Sequence, residues 1–248
     1  MDFKDFFSQQ ASEYAKYRPG YPEELFKYLG SITNEHKRAW DSAAGNGQAA
    51  LGLAEYFDEV LASDASETQI QNAVQHPKIK YFIAPSENSG IEPHSVNIVT
   101  VATAIHWFNL NKFYDEVKRV LVPGGTLAVW NYGEANVNEK IDKIFHRFLY
   151  EVIGSYAAPE FWKGINQENE IDFPFERIKT PLFKMKHNWS FNDYKNFVMT
   201  WSPVRQYIKL NNTDPLELII DELKNAWGNE NEKKEISWKL MLKAAKIG

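Results

Sequence analysis

Two acids and a pair of glycines carry the first chemical signal in this chain. Asp41 stands ahead of Gly45-Asn46-Gly47, and a second acid, Asp64, follows. Glycine lacks a Cβ, so the backbone can turn tightly and approach a ligand at the start of the next helix. An acid about 20 residues beyond such a turn can accept both hydroxyls of a ribose. Gly45-Asn46-Gly47-Gln48-Ala49-Ala50 also satisfies the G-x-G-x-x-G/A dinucleotide pattern, so NAD fits the local spacing. Asp41 pulls the other way, because an acid before the glycines repels a pyrophosphate and attracts a positively charged amino-acid end. By itself the turn fits both kinds of ligand.

These residues need elements that place them at one edge. Residues 22–29 read as a short helix with Pro at its start and Gly30 at its end. Residues 38–41 read as a strand, 48–57 as a helix with Leu51, Leu53, Ala54 and Phe57 on one face, and 59–64 as a second strand. A helix over 67–75 stops near Pro77, and 79–83 form a third strand. Residues 95–101 are nearly continuous in Val, Ile and Thr, as a strand buried on both faces should be. A helix over 110–121, lined by Phe113, Val117, Val120 and Leu121, leads through Pro123-Gly124-Gly125 into a fifth strand over 126–130. Strands alternating with helices in this way predict an α/β fold with a doubly wound, Rossmann-like, mostly parallel sheet.

The rhythm changes after Trp130. Residues 137–153 read as helix, 159–174 as irregular and aromatic, 184–190 as a strand, and 191–207 and 216–227 as helices. In 235–247, Ile236, Trp238, Leu240 and Leu242 alternate with Ser237, Lys239, Met241 and Lys243, which suits an antiparallel C-terminal edge strand. The expectation is a single domain over 1–248 with about seven strands. Residues 1–132 would form the binding core, 133–234 a helical cover inserted after strand five, and 235–247 the final strand.

Composition narrows the function classes. A net charge of −5 and a pI near 5.7 oppose a nucleic-acid partner, which would meet a basic face. No apolar run approaches the roughly 18–20 residues that span a bilayer, so no membrane partner is expected. The first residues, Met1-Asp2-Phe3-Lys4-Asp5-Phe6-Phe7, are acidic where a signal peptide is basic, which fits a cytoplasmic protein. Without cysteine there is no thiolate ligand or cysteine nucleophile, and His94, His106, His146 and His187 lack convincing metal spacing, so no metal is expected. No serine stands on a nucleophile elbow.

Further pieces stand in order along the chain: Tyr14-Ala15-Lys16-Tyr17-Arg18-Pro19-Gly20-Tyr21-Pro22, Asp41-Ser42-Ala43-Ala44-Gly45-Asn46-Gly47-Gln48, Ser63-Asp64-Ala65-Ser66, Ala84-Pro85-Ser86-Glu87, Val99-Thr100-Val101-Ala102-Thr103-Ala104-Ile105-His106-Trp107-Phe108 and Arg119-Val120-Leu121-Val122-Pro123-Gly124-Gly125. With these the chain resembles the class I S-adenosylmethionine-dependent methyltransferases, in the type 11 branch with the trans-aconitate methyltransferase-like enzymes. The resemblance covers roughly residues 7–132. It implies S-adenosylmethionine as cofactor, with Asp41 and the turn through Ala43, Gly45 and Gly47 on the methionine portion. Asp64, with Ala65 beside it, would take the ribose, Ser86 and Glu87 the adenine, and Ala102 the sulfonium side, while Tyr14 and Arg18 would fold over the cofactor. The chain departs from the family pattern at Ala43 and Ala44, which replace the first glycine and the small residue after it. Asn97 replaces a usual Asp, and Pro85 stands where an acidic adenine contact is common.

Methyl transfer from a sulfonium is an in-line displacement from an activated carrier, so alignment and exclusion of water are the main tasks. A carboxylate acceptor needs no base, whereas a hydroxyl or amine does. His106 is the candidate base, and Trp107, Trp130 and Tyr132 are candidate substrate contacts. Phe145, Phe148, Tyr150, Phe161 and Trp162 suggest an aromatic cover over a small-molecule pocket. No Asn-Pro-Pro-Tyr-like run follows strand four, which disfavours nucleobase or amide nitrogen. The leading expectation is small-molecule methylation, on oxygen and on a carboxylate in the simplest case, by a monomer or homodimer. An NAD-dependent oxidoreductase and a non-catalytic methyltransferase-like binding protein are the alternatives.

Overall fold

A computed structural model of the chain describes residues 17–165 and 173–248. The first helix, α1 (Glu23–Ser31), starts after Pro22 with Glu23 and Glu24 in its first turn, where the helix dipole favours acids. It buries Leu25, Phe26 and Leu29. Strand β1 (Arg38–Ser42) leads into helix α2 (Gln48–Ala54), and β2 (Glu59–Asp64) into α3 (Glu67–Gln71). Strands β3 (Ile79–Ile83) and β4 (Val96–Ala102) follow, then a 3-10 turn at Ile105–Trp107, helix α4 (Leu110–Val120) and the long β5 (Leu121–Tyr132).

β4 is buried along six consecutive residues, as its apolar sequence requires in the middle of a covered sheet. The strand order is β3-β2-β1-β4-β5, all parallel, continuing into the antiparallel β8 (Lys234–Lys246). Chain order therefore reverses between β1 and β4, and a crevice for ligands opens there at the strands' carboxyl ends. Register places Asp41 of β1 opposite Thr100 of β4, and Ala102 opposite Trp130 of β5.

After β5 come α5 (Glu139–Arg147), capped by Asn138, a π-helical turn at Phe148–Val152, a 3-10 turn at Gly154–Tyr156 and α6 (Pro159–Ile165). Then follow β6 (Arg177–Ile178), β7 (Phe183–Trp189), α7 (Phe191–Met199), α8 (Ser202–Asn211), a 3-10 turn at Pro215–Leu218, and α9 (Ile220–Trp227). One core joins α1, α2 and the late helices on one sheet face; a second lies under α4 around Trp40, Phe113 and Val117.

The fold class is the expected one, with differences in detail. The sheet has eight strands, and β8 pairs with β5 on one side and with β6 and β7 on the other, so three antiparallel strands close that end. Its alternation is as read: Ile236, Trp238, Leu240 and Leu242 are buried. The helix expected over 191–207 is two, because Pro203 cannot extend a helix from behind; Trp201 turns extended and α8 restarts with the proline in its first turn. α2 ends at Ala54 rather than at residue 57, since Tyr56 and Phe57 both donate to Leu53 O and tighten the chain. α3 ends at Gln71 rather than at residue 75, where Val74 N–H is drawn to Asn46 O. The first part of the aromatic 159–174 stretch, read as irregular, is helical in α6, and residues 166–172 lie outside the described residues.

Candidate active site at the strand ends

The first layer of the site is Asp41, with no exposed surface at the end of β1. Thr100, its register partner on β4, donates its hydroxyl to Asp41 Oδ1 at 2.9 Å, while Oδ2 is buried with no well-formed hydrogen bond among the described residues. Burial pushes the carboxyl up to about 7; the Thr100 hydroxyl and the Ala50 N–H in α2 pull it down, and Asp64 adds a smaller upward push. A buried carboxylate oxygen without a donor is costly unless a ligand supplies one. An ammonium group answers both the charge and the missing hydrogen bond.

The turn after β1 runs through two left-handed residues before the helix. Ala43 has φ 55° and Gly45 φ 56°, and Gly47, at φ 90°, caps α2. Ala43 thus holds a conformation that a Cβ disfavours by roughly 1–2 kcal/mol. Gly47 is fixed by space as well as by conformation, since a Cβ there would come within 2.1 Å of the Tyr81 hydroxyl oxygen. That hydroxyl donates to Val74 O at 2.8 Å, and burial, followed by the nearby Asp41 charge, pushes it up to about 12.

Asp64 closes the turn from β2. Its Oδ2 accepts from Gly45 N–H and its Oδ1 from Ser66 N–H, each at 2.8 Å. Ser66, not Asp64, caps α3 with its side chain, which accepts from Gln69 N–H. Each carboxylate oxygen carries two acceptor sites. Two more of the loop's donors are engaged: Ala44 N–H bonds Ser63 O and Gly47 N–H bonds Ala44 O, both at 2.9 Å. With Gly45 N–H held by Asp64, these three do not form the amide cradle that a pyrophosphate requires. The donor set fits a molecule with a cation at one end and a diol at the other, and S-adenosylmethionine has both.

The other expected residues fall around this centre. Ala65 is half-buried beside Asp64, and buried Ser86 accepts from Ser42 Oγ at 2.8 Å, tying the loop after β3 to the end of β1. Glu87 takes Asn109 N–H at 2.7 Å, at the start of α4. Ala102 ends β4 half-buried, and Thr103 after it has φ 54° with its N–H on Trp130 O at 2.8 Å. Arg18 donates to the Tyr132 hydroxyl at 2.7 Å and lies 5.6 Å over the Phe197 ring of α7. Tyr14 lies outside the described residues.

His106 and Trp107 occupy the 3-10 turn after β4, their rings 5.3 Å apart. Burial lowers the His106 pKa to about 4, against a small upward pull from Glu160 on α6. The ring is neutral at pH 7 and holds a proton poorly. Trp130 is only 1% exposed, packed edge-on by Tyr21 and Phe26, and thus a core side chain rather than the pocket wall expected of it. Among the described residues no group of three or more His, Asp or Glu could hold a metal ion, and no helix is long and apolar enough to cross a membrane.

Thr100, Thr103, Tyr81 and Phe197 were not foreseen as site residues. Thr100 had a readable signal, a hydroxyl amid Val and Ile in a strand buried on both faces, where an unbonded polar group is expensive.

Known proteins agree with this geometry. A family model described as a methyltransferase domain matches residues 40–129. A Dictyostelium discoideum protein named as a methyltransferase is 35% identical over 230 residues, covering 91% of this chain and 87% of its own. A Saccharomyces cerevisiae protein named as an S-adenosylmethionine-dependent methyltransferase is 24% identical over 254 residues, with 87% of each chain covered. A solved structure from Anaeromyxobacter dehalogenans, titled as a type II methyltransferase, superposes with a TM-score of 0.86 at 33% identity, covering 92% of this chain and 97% of that one. The buried acid ending β1, the acid ending β2 and this likeness over nearly the whole chain lead to one conclusion: the protein is an enzyme of the class I S-adenosylmethionine-dependent methyltransferase family.

Proposed function

We propose that the enzyme methylates oxygen on a small molecule, with a carboxylate as acceptor. The observation that carries this is His106. It stands on the turn after β4, and its burial disfavours the protonated ring. At pH 7, placing a proton on a ring of pKa about 4 costs roughly 4 kcal/mol. A carboxylate oxygen needs no proton removed, whereas an alcohol or amine acceptor would load that cost onto the transfer. His106 then acts as a neutral wall and hydrogen-bonding group, with Trp107 and Tyr132 beside the acceptor.

Donor binding follows from the same strand ends. Asp41 takes the ammonium, Asp64 the ribose hydroxyls, and Ala65, Ser86 and Glu87 the adenine side, while Ala102 lies by the sulfonium and Arg18 over the methionine end. When bound, the donor supplies an activated methyl group, and the chain's work is to align the acceptor and keep water out. Residues 133–234 cover the acceptor side of a single domain.

The test is transfer of labelled methyl from S-adenosylmethionine to a metabolite extract, followed by mild alkali. A methyl ester releases its label as volatile methanol. Label that stays fixed after alkali would rule out the carboxylate acceptor.

A further inference from the structure

A second concavity lies away from the strand ends. Between the start of α1 and the outer face of α2 is a cleft of about 360 Å³, in the usual range for small-molecule sites. α2 turns Ala49, Ala50, Leu53 and Ala54 to the core, and Gln48, Leu51, Gly52 and Glu55, spaced as neighbours on one helix face, line the cleft. Asp41 meets the same helix from the sheet side, through the Ala50 N–H. The walls are anchored in the core. Phe26 is buried and packs edge-on against Trp130, and Tyr21 packs edge-on against both rings. Gly52 stands inside a helix, where alanine is preferred, because a Cβ there would come within 2.2 Å of the Phe26 ring. Tyr56 rests against Gly30, where a Cβ would lie 3.3 Å from its ring. The cleft is therefore preformed.

Its charged groups share one sign. Glu23 and Glu55 line it with exposed side chains, and no Lys, Arg or His does. Among the described residues neither carboxylate makes a hydrogen bond or an ion pair. Glu55 caps the carboxyl end of α2, where the helix dipole disfavours an acid and favours a cation. Lys78, the base at that end, bonds the carbonyls of Ala54 and Phe57 instead. Aromatic rings beside carboxylates suit an ammonium ion. We propose that this cleft is a second binding site and takes a small organic ammonium ion, its charge on Glu23 and Glu55 and its apolar body against Tyr21, Phe26, Leu51 and Tyr56. Binding there needs neither methyl donor nor acceptor, so it holds whatever molecule is methylated.

Ligand-observed NMR titration at low salt decides it with two probes. These are 2-phenylethylammonium and the neutral 2-phenylethanol, which carries a hydroxyl in place of the charge. Both are titrated with S-adenosylhomocysteine at saturation, so that the amine does not report on Asp41. Wild type should bind the ammonium at one saturable site in the millimolar range, and the alcohol at least about tenfold more weakly. Glu23→Gln combined with Glu55→Gln should weaken the ammonium about fivefold or more and leave the alcohol within about twofold. Both side chains are exposed, so this variant keeps the fold. Leu51→Arg, which sets a cation in the cleft, should exclude the ammonium while S-adenosylhomocysteine still binds. Equal affinity for the two probes would make the cleft a merely apolar groove and overturn the proposal. So would the absence of saturation in the millimolar range, or wild-type affinity for the ammonium in either variant.

Discussion

Binding of the donor's amino-acid end should release a proton from Asp41, and its affinity should therefore depend on pH. Burial pushes the Asp41 carboxyl up to about 7, and among the described residues its Oδ2 has no well-formed hydrogen bond. An ammonium placed against it favours the carboxylate, so only the ionised form binds well. The fraction available makes affinity proportional to 1/(1 + 10^(pKa − pH)). Between pH 7.5 and pH 6.0 the dissociation constant for S-adenosylhomocysteine should rise about eightfold, in a window below the ordinary α-amino range of about 7.7–8.0. At pH 7.0 about half a proton should be released, measurable by calorimetry in two buffers of different ionisation enthalpy. The same group affects stability without ligand. Its folded pKa lies above the unfolded value, so its contribution is present below pH 4 and is lost as pH rises through about 7. Asp41→Asn should then stabilise the unliganded protein above pH 7, by on the order of 4 kcal/mol at most, while binding S-adenosylhomocysteine weakly and without the pH slope. A flat affinity between pH 6.0 and 7.5 in the wild type, with no buffer-dependent heat, would refute the reasoning.

Further substitutions probe the neighbouring residues. Ala43→Gly relieves a left-handed alanine; after the larger unfolded-state entropy of glycine is allowed for, it should gain about 0.5–1 kcal/mol and raise the melting temperature by about 2 °C, and a lower melting temperature would contradict the strain. Gly47→Ala drives a Cβ to within 2.1 Å of the Tyr81 hydroxyl oxygen and breaks its bond to Val74 O, costing about 2–3 kcal/mol; adding Tyr81→Phe should recover part of this in a urea titration. His106 has a folded pKa of about 4, below its unfolded value, so it removes stability as pH falls below about 6.5. His106→Gln should accordingly lose on the order of 2–3 kcal/mol less than wild type between pH 7 and pH 4.5, and parallel pH profiles of the urea midpoint would show that the ring is not so buried.

Much of the core was legible because its signals are local. Val96 to Ala102 reads as a buried strand from its own composition, and the alternation from Ile236 to Leu242 marks which face of β8 is covered. Asp41, Gly47 and Asp64 were readable because each is a residue type with a specific task at a strand end or helix start. Conformations and pairings set by distant parts of the chain were not. Nothing in the types Ala43 and Thr103 announces a positive φ; the surrounding strands impose it. The two-residue β6 has no periodicity to detect and exists only because Arg177 and Ile178 meet Ala245 and Ala244. Trp130 looked like a pocket residue by its place at the end of β5, but alternation along the strand turns its ring toward Tyr21 and Phe26. Pro203 was a readable helix start, and its effect was hidden by the apolar run through which it passes.

The central claim is that the crevice between β1 and β4 holds the methyl donor through its ammonium and ribose ends. Calorimetric titration of the wild-type protein with S-adenosylhomocysteine, and separately with NAD, tests it directly. The expected result is one-to-one binding of S-adenosylhomocysteine and no heat with NAD. Saturable NAD binding with no response to S-adenosylhomocysteine would contradict it.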